Sequence, residues 1–192
     1  MTSIYDFSTF PTLTTERLVM RRLRREDAPD INALFSDPRV LEFLDEPPLQ
    51  TDEKAVGMID WMDEMYAKRV AIRWAITLKG QERVIGTVGF HYWSPKDRRA
   101  DLGYDLYPDY WGKGYATEAA RAVIDWCFNN LNLHRLQADC TLGNDRSERT
   151  ILRLGFHLEG IWREKVWEHE RFVDLKQFGL LRREWEALKS HS

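Results

Sequence analysis

The chain has 192 residues, with 28 Lys and Arg against 31 Asp and Glu and a formal net charge of −3. Its length fits one domain, residues 1–192, and its charge balance speaks against non-specific nucleic-acid binding, where a basic surplus is expected. No stretch approaches the ~20 consecutive apolar residues that span a bilayer, and the N-terminal MTSIYDFSTFPTLTTERL lacks a basic region followed by an apolar run. Neither a membrane association nor a secretory signal is expected. Cys127 and Cys140 fall in phase with apolar residues, so both read as buried small hydrophobes. Without a disulfide framework, a reducing, cytoplasmic setting is the default. The basic run RRLRRED (21–27) is interrupted by Leu23 and followed at once by two acids, which suits a solvated strand end.

The elements follow in chain order. RLVMRRL (17–23) alternates as a strand does, with Leu18 and Met20 on one face. EDAPDINALFSD (26–37) has helical spacing, and Pro38 is expected to stop it. LDEPPLQ (44–50) reads as a loop. Thr51 can cap a long helix carrying Val56, Ile59, Met62, Met65 and Tyr66. Strands are expected at 70–78, 83–93 and 100–108, and the two glycines of the second suggest a bulge or a close backbone approach. A helix follows over 117–131, a strand over 133–142, and a short helix over 146–154 with Gly155 as its C-cap. Residues 156–181 read as a terminal hairpin. The order β-α-α-β-β-β-α-β-α-β-β predicts an α+β domain, a mostly antiparallel mixed sheet flanked by helices.

One turn carries chemistry. YPDYWGKGYATEAARAV (107–123) runs from a strand end through Gly112-Lys113-Gly114 into a helix. A helix N-terminus offers unpaired amides and the positive end of the macrodipole, and glycines let an anion reach them. The stretch fits neither GxxxxGK[ST] nor GxGxxG, since Tyr115 and Thr117 occupy the deciding positions. Taken alone, the turn supports an anion site or a structural loop.

A second segment, NDRSERTILRLGFHLEG (144–160), lies one strand and one helix later. Together the two resemble the GNAT superfamily of acyl-CoA N-acyltransferases. That superfamily's pyrophosphate loop, [Q/R]xxGx[G/A], falls on Trp111, Gly114 and Ala116, and its later Asn and Gly-Phe fall on Asn144 and Gly155-Phe156. LTTERLVMRRLRREDAPDINALFSDP and YWGKGYATEA are similar to the Rim-type branch, which acetylates the N-termini of ribosomal proteins. The resemblance covers roughly residues 12–185. It implies acetyl-CoA as co-substrate in a cleft between splayed strands, and no His/Cys/Asp/Glu spacing suggests a metal site. Backbone around Asp105, Leu106 and Tyr107 would pair with pantetheine. Amides of Trp111, Gly112, Lys113, Gly114, Tyr115, Ala116 and Thr117 would hold the pyrophosphate, with Lys113 as a further positive charge. Asn144, Ser147 and Phe156 would border the rest. Dimers are common in the branch, so a homodimer is open.

Amine acetylation needs a neutral amine, a polarised thioester carbonyl and a proton for the departing thiolate. Many superfamily members give that proton from a tyrosine, whose position here is Ile151. In the Rim-type branch a serine three residues after the asparagine is a proposed substitute, which is Ser147; its alternative role is the N-cap of the short helix. For the base, Asp101 ranks ahead of Asp105, Glu159 and Glu164, because it falls near the superfamily's catalytic glutamate on this strand. His134 and His157 read as structural. Trp93, Tyr107, Trp162 and Trp167 are candidates for lining the acceptor slot, while Trp74 and Trp126 read as core. The expected acceptor is a protein N-terminal amine. A small amine (polyamine, amino acid or antibiotic) is the alternative, and a non-catalytic acetyl-CoA sensor is the reading from another class.

Overall fold

A computed structural model describes residues 5–44 and 46–190. Eight strands form one sheet: β1 (Leu13–Thr14), β2 (Leu18–Arg22), β3 (Ile72–Leu78), β4 (Val84–Ser94), β5 (Arg99–Leu106), β6 (Arg135–Thr141), β7 (His157–Glu168) and β8 (Arg171–Leu181). Their order across the sheet is β1-β2-β3-β4-β5-β6-β8-β7. Every pairing is antiparallel except β5 with β6. Parallel neighbours need a crossover, and helix α4 (Tyr115–Asn130) supplies it.

The sheet buries side chains on both faces. Leu18, Met20, Ile72, Trp74, Ile76, Val88, Phe90, Leu136 and Phe178 join the apolar stripe of α4 in the larger core. Ala75 and Val84 face the other way, against Ile31 and Leu34 of α1 (Ala28–Leu34) and Ala55 and Ile59 of α3 (Asp52–Ala67). Each fully buried large aliphatic or aromatic side chain contributes roughly 1.5–3 kcal/mol by leaving water. Trp74 and Trp126 are core residues, as their spacing suggests. Trp93, a candidate for the acceptor slot, packs into the core. It is buried against Phe7 and Phe90.

Several boundaries have clear local causes. Thr51 caps α3, its Oγ1 accepting from the Lys54 amide at 3.3 Å. Gly155 ends α5 (Asp145–Arg153) at φ +90°. Gly86 and Gly89 bring backbones together: a Cβ on Gly89 would collide with the Ile72 carbonyl, and one on Gly86 with that of Asp105. Pro38 does more than stop α1. It occupies the first turn of α2 (Pro38–Leu41), whose cap Asp37 accepts from the Arg39 amide at 2.9 Å. Asp45, within the 44–50 loop, lies outside the described residues.

Helix α6 (Arg182–Ser190) follows the hairpin with no forecast from the sequence. Its one buried residue, Trp185, stacks on Phe128 at 5.0 Å and donates from Nε1 to Asp125 at 2.6 Å. Arg182 donates to the Leu133 and Phe128 carbonyls, closing the end of α4. Such a short, charged helix is stabilised by what it packs on rather than by its own pattern.

Candidate active site

Strands β5 and β6 pair only from Arg99 to Asp101, opposite Arg135 to Gln137. Beyond that they separate and open a cleft of about 880 Å³. Leu102 to Leu106 form one wall and Ala138 to Thr141 the other; α5 contributes Ser147, Thr150 and Ile151. Because the fork interrupts the sheet, the cleft reaches residues of both faces. Tyr104, Ala138 and Cys140 come from the α4–α5 side. Arg73, His91, Gly103, Asp105 and Asp139 come from the other.

At one end sits the glycine turn. Gly114 is the N-cap of α4, at φ +80°, and Gly112 lies at φ +72°. These left-handed conformations favour glycine. The first intrahelical bond runs from Glu118 N to Gly114 O, so the amides of 114–117 lead the helix without intrahelical partners. Arg17 braces the turn from β1–β2. It donates to Glu118 at 2.6 Å and to the Lys113 carbonyl at 3.0 Å, and its guanidinium lies 4.5 Å from the Tyr115 ring centre. Trp111 donates from Nε1 to the Leu106 carbonyl at 2.6 Å, while Arg146 stacks 3.3 Å from its ring centre. Burial pulls the Arg146 guanidinium below its ordinary pKa, opposed by Glu42 and reinforced by Arg149. Arg39, Arg149 and Arg153 line the same cleft.

The α5 end differs from its sequence reading in one respect. Asn144, not Ser147, caps the helix, its Oδ1 accepting from the Ser147 amide at 3.1 Å. The Ser147 hydroxyl is therefore not spent on capping. It meets the Tyr104 hydroxyl at 3.1 Å. Ile151 is buried and apolar.

On the far face, Asp105 is held by Arg73 and by Thr87 Oγ1 at 3.3 Å. His91 is neutral over most of the pH range, since burial, with Arg73 nearby, pulls it down to about 4. Burial raises Asp101, whose Oδ1 has no hydrogen-bond partner and whose nearest cation, on Arg99, is 3.9 Å away. The charge of Asp139 pushes Asp101 the same way, and Asp139 is itself raised by burial. Glu168 is buried and accepts from Thr141 Oγ1 at 3.0 Å at the cleft wall.

Of the residues singled out in the sequence, Asp105, Leu106, Trp111, Gly112, Gly114, Tyr115, Ala116, Thr117, Asn144 and Ser147 line the cleft. Four do not. Phe156 is buried in the core, and Tyr107 packs toward the α1–α3 core with Arg83 over its ring. Lys113 is exposed near Tyr110. Asp101 sits opposite Gln137, where β5 and β6 are still paired, and is not part of the cleft wall. At the end of β5 the backbone is already engaged, Tyr107 N donating to Ile85 O and Leu106 O accepting from Trp111 Nε1. The strand edge without a partner strand begins after Asp101. Among the base candidates, Glu159 is held by Arg135, and Glu164 lies exposed outside the cleft wall, its amide donating to Asp174. Trp167 lines the cleft, and Trp162 does not. Arg17, Arg73, Tyr104, His91, Arg146 and Glu168 escaped the sequence reading. Only Tyr104 carried a signal there, through its place between Gly103 and Asp105 on a strand next to the turn.

Residues 17–157 match the acetyltransferase (GNAT) domain family. The chain belongs to the GNAT family of N-acetyltransferases. It is 36% identical to "Uncharacterized N-acetyltransferase p20" of Bacillus licheniformis, across 91% of this chain and 98% of that one. It is 28% identical to "Putative ribosomal N-acetyltransferase YdaF" of Bacillus subtilis, across 94% and 100%. RimL, a ribosomal L7/L12 alpha-N-protein acetyltransferase solved with coenzyme A, shares the fold at a TM-score of 0.82 and 18% identity, over 89% and 98% of the two chains. The acetyltransferase thus has the mixed, mostly antiparallel sheet of its family and the likeness to Rim-type enzymes that its motifs suggested. No helix among the described residues is long and apolar enough to cross a membrane.

Proposed function

We propose that this acetyltransferase moves the acetyl group of acetyl-CoA to the α-amine of a protein N-terminus, as a single domain working in the cytoplasm. The β5–β6 fork carries the reading, because one cleft joins an anion turn, an arginine-lined mouth and a carboxylate-bearing far face. The residues fit the co-substrate by their chemistry. Leading amides at 114–117 and the guanidiniums of Arg146 and Arg149 suit phosphates. The strand edge beyond Asp101 suits amide groups of an extended chain. Bound acetyl-CoA supplies an activated thioester carbonyl.

The protein residues then divide the work. The cleft holds amine and thioester together, which can supply much of the acceleration. Ser147 gives a proton to the leaving sulfur. An α-amine has a pKa of about 7.7–8.0, so its deprotonation asks little of the base. The Asp101–Asp139 pair takes that proton, since burial raises both carboxyls and the charge of Asp139 adds to the rise at Asp101. Likeness to YdaF supports a protein acceptor. A polyamine is the second reading, favoured by the carboxylates of Asp101, Asp139 and Glu168 around the far face.

Thiol release from acetyl-CoA, measured with N-terminal peptides and with polyamines, tests both readings, and mass spectrometry of the products locates the acetyl group. Modification of peptide α-amines supports the proposal. Turnover confined to polyamines replaces it with the second reading. Acetyl-CoA binding without turnover on any acceptor replaces both with a sensor.

A further inference from the structure

We infer that Tyr104 is the positioning residue behind Ser147, orienting the serine hydroxyl toward the leaving sulfur and replacing the proton it gives up. The inference rests on the acetyl transfer proposed above and assigns the proton path within it. The Tyr104 hydroxyl lies 3.1 Å from Ser147 Oγ and can donate either to it or to the Ser147 carbonyl oxygen at 3.2 Å. Either hydroxyl can donate across the pair. When Tyr104 donates to Ser147 Oγ, the serine proton is left to point into the cleft that both residues line.

Other hydroxyls near this end have partners of their own. Thr150 donates to the Arg146 carbonyl at 3.1 Å, within its own helix. Thr141 donates to Glu168. Tyr110, Tyr115 and Thr117 belong to the glycine turn at the other end. Ile151, one turn beyond Ser147, has no proton to give. The phenol therefore stands on the strand where a helix residue would otherwise stand. Burial raises Tyr104 to about 12, against the lowering effect of its hydrogen bonds with Ser147 and Thr150 and with Cys140 and Asp105 adding to the rise, so it keeps its proton at working pH.

The step balances. The amine nitrogen bonds to the thioester carbonyl carbon, and the C–S bond breaks with its electron pair on sulfur. Ser147 passes its proton to that sulfur, and Tyr104 passes its own to Ser147. The surplus amine proton leaves on the carboxylate side, and solvent reprotonates Tyr104 when products depart.

The test is a kinetic cycle of wild type, Tyr104→Phe, Ser147→Ala and the double variant, with acetyl-CoA affinity and thermal midpoint measured for each. Tyr104→Phe is expected to lower kcat by about 10- to 100-fold, within reach of general acid effects, with the KM for acetyl-CoA within about threefold. The double variant should be no slower than Ser147→Ala alone, because both act on one path. Replacing Tyr104 by 3-fluorotyrosine, which keeps the shape and makes the phenol more acidic, should move the alkaline limb of kcat to lower pH; this arm stands even if Tyr104→Phe folds poorly. Wild-type kcat in Tyr104→Phe, multiplicative losses in the double variant, or an unmoved alkaline limb overturns the inference alone. Wild-type protein that binds acetyl-CoA and releases no thiol overturns the proposed function and the inference together.

Discussion

Strand β5 presents two different surfaces to the same cleft. Leu102, Tyr104 and Leu106 face the α4–α5 layer, where apolar neighbours surround the Tyr104 phenol. Asp101, Gly103 and Asp105 face the other way and meet Arg73, Thr87 and His91 from β3 and β4. The first surface is built by packing, and its polar groups come from the adjoining turn and helix. The second is built by charge, from residues 14 to 32 positions apart in sequence. The difference separates two kinds of dependence. Variants on the polar surface should act on folding and pH response, while variants around the turn should act on acetyl-CoA.

The largest expected effect is on the polar surface. Arg73→Ala leaves the largely buried Asp105 carboxylate without its cation and should cost about 3 kcal/mol of stability, as for other broken buried pairs. Denaturant unfolding checks it; a loss under about 1 kcal/mol would show that water replaces the arginine. The pH response comes next. His91 has a folded pKa of about 4 against 6.5 unfolded, so below pH 6.5 the unfolded chain binds a proton that the folded one refuses. Stability therefore falls as pH drops from 6.5 to 4, by up to about 3 kcal/mol from this group. His91→Gln should flatten that part of the curve. An unchanged slope would place the imidazole in contact with solvent.

Two smaller effects probe the other region. Gly114→Val forces a β-branched residue to φ +80° and should weaken acetyl-CoA binding more than tenfold, about 1.4 kcal/mol, measured by calorimetry on folded protein. Unchanged affinity would remove the turn from the cofactor site. Arg146→Ala should weaken binding about three- to fivefold and reduce its salt dependence, since this arginine is partly exposed and acts as a screened charge. If Arg146→Ala instead lowers stability while affinity holds, its stacking on Trp111 is structural only.

Much of the fold was legible in the chain. Alternation located β2 to β6 and the terminal hairpin within about two residues and missed only the two-residue β1, and Thr51 and Gly155 did the capping their types suggest. Local patterns carry that information because backbone geometry sets the periods of two and 3.6. Helix α6 was not legible, since its stability comes from Trp185 meeting Phe128, 57 residues away in sequence. The site divided the same way. The glycine turn and Asn144–Ser147 are local and were found. Tyr104, His91 and Arg73 acquire their surroundings only when distant strands come together. Trp93 and Phe156 were misplaced because an aromatic near a turn can point to either side.

The sequence by itself determined the order of strands β2 to β8 and of helices α1, α3, α4 and α5, the glycine turn ahead of α4 and the Asn144 to Gly155-Phe156 segment, and through them the family. Each follows from steric and hydrogen-bonding rules acting over a few residues. Tertiary structure decided where β5 and β6 part, which carboxylates lose water, and which hydroxyl stands beside Ser147. Those properties depend on desolvation and on contacts between segments far apart along the chain, and no local pattern encodes them.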